Sequence, residues 1–408
     1  MVRKIVMKKT SYFIVLIGML TLCSAYISDR LDNKTWHEAS KMGDFYHDLY
    51  SFLPTDSLTD SIVNLYQGPV SDWPKPNIDS GIVYQELGAM PGNKEYLKWD
   101  NDDTVKLGKI LFFDPRLSRS SQISCSSCHE PDMAWQDGRT IALGNDHLQG
   151  NRNTPSLLNV IIQKELFWDG RAGSLESQAT APLAEHHEMD MDVKSLPAKL
   201  MKIAGYDSLF TNAYGNSDIT LSKITYALAS FEKTLRSKKS RFDFFVEGNK
   251  KALKPEEIKG LHLFRTKARC MNCHNGPYFT DLQYHNIGLS YYGRKFQDLG
   301  RFLVTGKKED VGKFKTPTLR DLLHTRPWMH NGLFDNLTGV INIYNSGMHQ
   351  LDNKVSPAVD SLYPHTDPIL RPLQLTADEK EALVAFLEAL NPVEYKMRRP
   401  ELPGMGHE

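Results

Sequence analysis

The pentapeptide Cys-x-x-Cys-His occurs twice in this chain, as Cys125-Ser-Ser-Cys128-His129 and as Cys270-Met-Asn-Cys273-His274. Two thiols at that spacing reach one edge of a macrocycle while the following His turns beneath its centre. That is the geometry of covalent c-type haem attachment, with the His as an axial iron ligand. The motif constrains folding strongly, because each copy needs a shell of helices and long loops around a large flat group. Each copy is followed shortly by a Pro, Pro131 and Pro277, and the two together use four of the five cysteines. A zinc ribbon would place a second Cys pair about 15–20 residues after the first. These pairs lie far apart, and each is followed at once by His. A disulfide framework is the device of small chains that cannot bury a core, and 408 residues are ample for ordinary cores.

That length predicts two or three domains. The formal net charge is zero and no basic tract is present, which argues against a nucleic-acid partner. The first nine residues are basic and Tyr12 to Leu22 is almost wholly apolar, the layout of an export signal over residues 1–23. Export agrees with the haem motifs, since c-type haem is attached outside the bacterial cytoplasm. Cys23 follows the apolar run directly, as the acylated Cys of a lipoprotein would. Leu22 stands where a small residue is usual, so lipoprotein and plain secretion both remain open.

An internal repeat organises the rest. Leu107-Gly108-Lys-Ile-Leu111-Phe112 precedes the first motif, and Gly260-Leu-His-Leu263-Phe264 precedes the second. Both read as helices. Pro255-Glu256-Glu257 is a helix start, with Ile258, Leu261, Phe264 and Ala268 on one face. Leu221, Ile224, Leu228, Phe231 and Leu235 mark another helix. Thr376-x-x-Glu379 is a capping box ahead of Leu383, Phe386, Leu387 and Leu390, with Pro392 as the stop. No array of alternating strands is present. The expected class is mainly α: two tandem cytochrome-c-like haem domains, 101–250 and 251–400, with long loops. Residues 24–100 form an N-terminal extension of unread role, with a helix predicted over 36–53 and Pro and Gly punctuation after it.

Longer segments resemble the bacterial dihaem cytochrome c peroxidases and their MauG-type relatives. They include 107–118 (LGKILFFDPRLS), 152–159 (RNTPSLLN), 167–172 (FWDGRA), 227–235 (ALASFEKTL), 314–320 (FKTPTLR) and 328–332 (WMHNG). The resemblance runs from about residue 105 to the C-terminus. It implies a peroxidatic haem on His129 and an electron-accepting haem on His274. It implies Glu188 as the distal acid that moves a proton between peroxide oxygens, Gln178 as the amide that orients peroxide or water, and Trp168 as an electron relay. It also implies a calcium site from Asn153, Thr325 and Pro327, all oxygen donors.

Two positions depart from the best-known peroxidases. Tyr344 stands where those proteins place a Met ligand to the second haem, as in MauG-type enzymes, and Met348 is the competing ligand one helical turn on. Asn145 stands where a His closes the peroxidatic iron in enzymes that need reductive activation. His147, His186 and His187 are the other imidazoles near that site. The resemblance implies a periplasm-facing peroxidase that reduces hydrogen peroxide with electrons from a cytochrome c, a cupredoxin or a quinol. The alternatives are a MauG-like oxidase acting on a partner protein and a plain dihaem electron carrier. A homodimer is compatible with either enzyme reading.

Overall fold

The computed structural model describes residues 57–92, 99, 101–350, 360–392 and 396–404. The export signal, Cys23 and the helix predicted over 36–53 lie outside the described residues. Eleven α-helices are present among those described: α1 (Ser57–Asn64), α2 (Asp103–Phe113), α3 (Leu175–Ala184), α4 (Leu196–Met201), α5 (Tyr206–Tyr214), α6 (Leu221–Glu232), α7 (Arg241–Val246), α8 (Pro255–Arg265), α9 (Phe302–Thr305), α10 (Leu337–Asn345) and α11 (Ala377–Glu388). The sheet content is one antiparallel pair, β1 (Tyr284–His285) and β2 (Phe314–Lys315). None of the described helices is long and apolar enough to cross a membrane.

The helix starts follow from their caps. The Asp102 carboxylate accepts the Thr104 and Val105 amides at the head of α2. Thr376 and Glu379 form the reciprocal capping box expected for α11. Helix α8 begins on Pro255 with two acids in its first turn. It stops at Arg265, so Ala268 falls beyond it, and Leu235 likewise falls beyond α6.

Two helix crossings carry the repeat. Helix α2 packs across α6, and α8 across α11. The glycine of each Gly-x-x-Leu-Phe segment sits at the crossing. A Cβ on Gly108 would lie 1.9 Å from the Ala227 carbonyl oxygen, and one on Gly260 would lie 1.9 Å from that of Ala382. Only hydrogen fits at either place, which is what the repeated glycine encodes. An aromatic trio closes each crossing. Phe112, Trp135 and Phe231 meet with ring centroids 5.3–5.8 Å apart. Phe264, Phe279 and Phe386 form the matching set at 5.3–6.3 Å. Backbone contacts of this kind do not relax, so Gly260→Ala is expected to cost about 1–3 kcal/mol of stability through overpacking. A urea midpoint equal to wild type would refute this account of the crossing.

The described residues from Leu58 onward form one compact unit with two main cores. The first core holds Leu107, Phe112, Trp135, Phe210 and Phe231. The second holds Phe264, Phe279, Leu383 and Phe386, and it draws in two pieces of chain from before residue 251. Helix α7 contributes Phe242 and Phe245, and the extension contributes Tyr66, Trp73 and Leu87. Residues 57–92 are therefore part of the second core.

Candidate haem and peroxide site

One cavity has a volume of about 1340 Å³. Both Cys-x-x-Cys-His motifs line it, together with Gln178, Glu188, Trp168, Asn153, Thr325, Pro327 and Tyr344. Residues far apart in the chain, singled out from the sequence as haem, peroxide and calcium candidates, thus line one cavity.

The two histidines are presented in the same way. His129 Nδ1 lies 2.9 Å from the Trp135 carbonyl oxygen, and His274 Nδ1 lies 3.0 Å from that of Phe279. A carbonyl can only accept, so each Nδ1 carries the proton and each Nε2 keeps its lone pair. That is the tautomer of a metal-ligating imidazole oriented by an outer hydrogen bond. Burial depresses both imidazoles, His129 to about 4 against the pull of its carbonyl partner, so both are neutral. The carbonyls are aimed by backbone in the left-handed region, Trp135 at φ 64° and Phe279 at φ 53°. The four motif cysteines are unpaired. Burial pushes the Cys128 and Cys270 thiols up to about 12, unlike an activated redox dithiol. An apolar-walled cavity, free thiols at its edge and two Nε2 lone pairs fit a covalently attached haem at each motif.

Gln178 and Glu188 lie on α3 and the turn after it. Ser174 caps α3 and Gln178 lies one turn in. Glu188 follows on a tight turn, its amide donating to the Glu185 carbonyl at 3.0 Å. Its own carbonyl accepts the Asn145 amide at 2.8 Å, which ties the 142–150 loop to the acid. Gly144 allows that approach, since a Cβ there would meet the His187 carbonyl at 2.0 Å. Burial raises the Glu188 carboxyl above its ordinary range and Glu185 adds to this, while Arg171 and His187 oppose it.

The candidate blocking residues are spread out. Asn145 is buried but does not line the cavity, and His147 is exposed and outside the wall. His186 also lies outside it. His187 reaches the wall while its Nδ1 sits 3.3 Å from Glu185. On the far side, Tyr344 from α10 lines the cavity and Met348 does not. Met348 follows α10 with φ 61° and is packed away from the opening.

Trp168 is clamped from two directions. Its indole N–H donates to the Asn153 carbonyl at 2.9 Å, and its own carbonyl accepts the Lys315 amide at 2.8 Å. The Asn153 amide nitrogen donates to the Arg139 carbonyl at 2.8 Å, which leaves the side-chain oxygen available as a ligand. Nearby, Gln136 Oε1 is buried without a partner while its nitrogen donates to the Arg326 carbonyl.

Glu232 was not singled out in the sequence. It lines the cavity near Cys125, is buried, has one oxygen without a partner, and is raised by burial to about 8. Its segment, 227–235, was legible as a helix, but the inward turn of an acid at its end carries no sequence signal.

Residues 102–251 match the family model described as di-haem cytochrome c peroxidase. The methylamine utilization protein MauG of Methylophilus methylotrophus is 38% identical over 305 residues, covering 74% of this chain and 86% of that protein. Cytochrome c551 peroxidase of Nitrosomonas europaea is 33% identical over 333 residues, covering 80% and 93%. Among solved structures, a MauG-like protein associated with microbial copper homeostasis superposes with a TM-score of 0.63 at 29% identity, covering 77% and 96%. The diheme peroxidase BthA of Burkholderia thailandensis gives 0.60 at 25% identity, covering 79% and 94%. The fold and these likenesses define the class, a mainly α oxidoreductase of the dihaem type. The chain belongs to the di-haem cytochrome c peroxidase and MauG family.

Proposed function

We propose that this chain reduces hydrogen peroxide to two waters, taking two protons and two electrons, the latter from a small redox donor. The observation that carries the reading is the shared cavity, which both attachment motifs line together with a half-buried carboxyl, Glu188, and an amide, Gln178. A pure electron carrier has no use for that pair. Cys125, Cys128 and His129 would hold the peroxidatic haem; Cys270, Cys273 and His274 would hold the electron-accepting one, with Tyr344 as its second ligand. Haem supplies the iron that binds peroxide and relays electrons. Glu188 takes the proton from one peroxide oxygen and returns it to the other, and Gln178 orients the pair by hydrogen bonding. Trp168, held by Asn153 and Lys315, serves as the relay between the two sites. The Asn153 side-chain oxygen and the Thr325 and Pro327 carbonyls would hold a calcium ion, a donor set of hard oxygens. A periplasm-facing location, with Cys23 as a lipid anchor, completes the reading.

The MauG-like alternative, oxidation of a partner protein at the same site, is favoured by one observation. Tyr344 rather than Met348 faces the cavity, and an anionic oxygen ligand lowers an iron potential relative to Met.

The state of the first haem gives the test. In the 142–150 loop the wall is formed by Ala142, Gly144, Gln149 and Gly150, with no imidazole among them. The fully oxidised protein is therefore expected to show one high-spin and one low-spin ferric signal by low-temperature EPR. It should react with peroxide without prior reduction. Two low-spin signals, with reactivity only after one-electron reduction, would show that His187 or another group closes the iron. Turnover with a cytochrome or cupredoxin donor separates the peroxidase from the partner-protein oxidase.

A further inference from the structure

We infer that residues 74–90 are a strap that positions the second attachment loop and sets the charge beside it, with Asp79 as its principal positioning residue. The inference rests on the reading of Cys270 to His274 as a haem site.

The strap is bonded into the motif itself. Asn272, between the two cysteines, accepts the Asp79 amide at 2.8 Å and donates to the Asn77 carbonyl at 2.9 Å. Asn275, directly after His274, accepts the Gln85 amide at 3.1 Å. The Gly276 amide donates to the Gln85 carbonyl at 2.9 Å. The first motif is held differently: among the described residues no such strap reaches its Cys-to-His residues, and the residue after it, Glu130, pairs instead with Arg399 near the C-terminal end. Its loop is closed locally, with the Ser124 amide donating to Ser127 Oγ at 3.0 Å and Ser124 and Ser126 hydroxyls 2.8 Å apart. Among the described residues, no distant segment hydrogen-bonds residues 125–129. The asymmetry is specific to the second site.

The strap also brings charge. Asp79 pairs with Arg269 and, at 3.3 Å, with Arg371. Both arginines line the haem cavity, and Arg269 immediately precedes Cys270. Glu86 pairs with Arg265, whose side chain is 1% exposed and lies 3.8 Å from the Met271 sulfur. The Asp79 carboxyl is held below its ordinary range, first by the Arg269 hydrogen bond. Two carboxylates from the extension thus offset three guanidinium groups around one attachment loop. Arg265 and Arg269 are 1% and 8% exposed, so these two cations, left without that offset, would favour the iron state of lower positive charge, buried charges being weakly screened. The strap therefore holds the potential of the second haem down while leaving the first untouched.

The experiment is a redox titration of the full chain carrying both haems, confirmed by intact mass. Asp79→Asn is expected to raise the midpoint potential of the second haem and leave that of the first unchanged. Glu86→Gln should act in the same direction, and Glu86→Asp should restore most of the wild-type value. Asp79 is partly exposed, so its variant is expected to fold even where Glu86→Gln fails to accumulate. An unchanged second potential in Asp79→Asn, or an equal shift at both haems, overturns the strap's role. A wild-type mass with a single haem overturns the reading of the second site instead.

Discussion

Glu188→Gln is expected to slow peroxide turnover by about 10²–10⁴-fold, the scale for losing a positioned general acid–base, with both haems still attached. The amide keeps the shape of the side chain but cannot take up and return a proton. The turn is held by backbone bonds from Glu188 to Glu185 and Asn145, which the substitution leaves in place. The pH profile carries a second signature. Burial raises the Glu188 carboxyl, with Glu185 adding to the shift and Arg171 and His187 opposing it. Proton uptake from peroxide needs the ionised form. Wild-type turnover should therefore fall, as pH drops, through a limb lying above the ordinary carboxylate range, and that limb should be missing in the variant. Steady-state rates across pH, with haem content checked by absorbance, decide the matter. Turnover near wild type, or an acid limb that survives the substitution, would remove Glu188 from proton transfer.

The sequence made the repeat legible because its constraints are local. A glycine on a helix, an aromatic one turn on and a Cys-x-x-Cys-His after it are all readable in a single window; that α2 crosses α6 and α8 crosses α11 is seen in the structure. The capping box at Thr376 was readable for the same reason. What the chain hid was long-range. The carbonyls that orient His129 and His274 lie six and five residues on, at unequal spacing, and depend on left-handed backbone at Trp135 and Phe279 that no residue type there announces. The extension showed no chemical motif because its contribution is made largely by backbone amides and carbonyls and by partners about 190 residues away. Glu188, Gln178 and Trp168 were found through family resemblance rather than residue chemistry. An isolated Glu or Gln on a polar turn reads as surface until the cavity places it. Tyr344 was preferred to Met348 from its counted position in the family pattern, and in the structure Tyr344 lines the cavity while Met348 does not.

Asp243→Ala is expected to destabilise the protein by about 3–5 kcal/mol, the cost of stripping one partner from a buried ion pair. Asp243 is fully buried and Arg320 is 1% exposed, and the pair is bidentate with both contacts at 2.9 Å. The carboxylate does three further things. It accepts the Ser240 amide and hydroxyl at the start of α7, at 2.7 and 2.6 Å, and it accepts the Met90 amide at 2.7 Å at the end of the strap. Alanine would leave the guanidinium with only the Pro277 and Gly88 carbonyls, and it would free α7 and the strap together. Burial pushes the Asp243 carboxyl up, but Arg320 and Ser240 outweigh it, and the net shift is downward. A depressed carboxylate adds stability that is present above its unfolded value, about 3.9, and is lost as pH falls through its folded value. The gap between wild type and variant should accordingly be full at neutral pH and narrow only in strong acid. Urea unfolding at several pH values measures it. The double variant Asp243→Ala with Arg320→Met should recover part of the loss, because no bare guanidinium then remains buried. If the double variant is no more stable than Asp243→Ala, the cost lies in the cap and the strap bonds rather than in the unpaired charge.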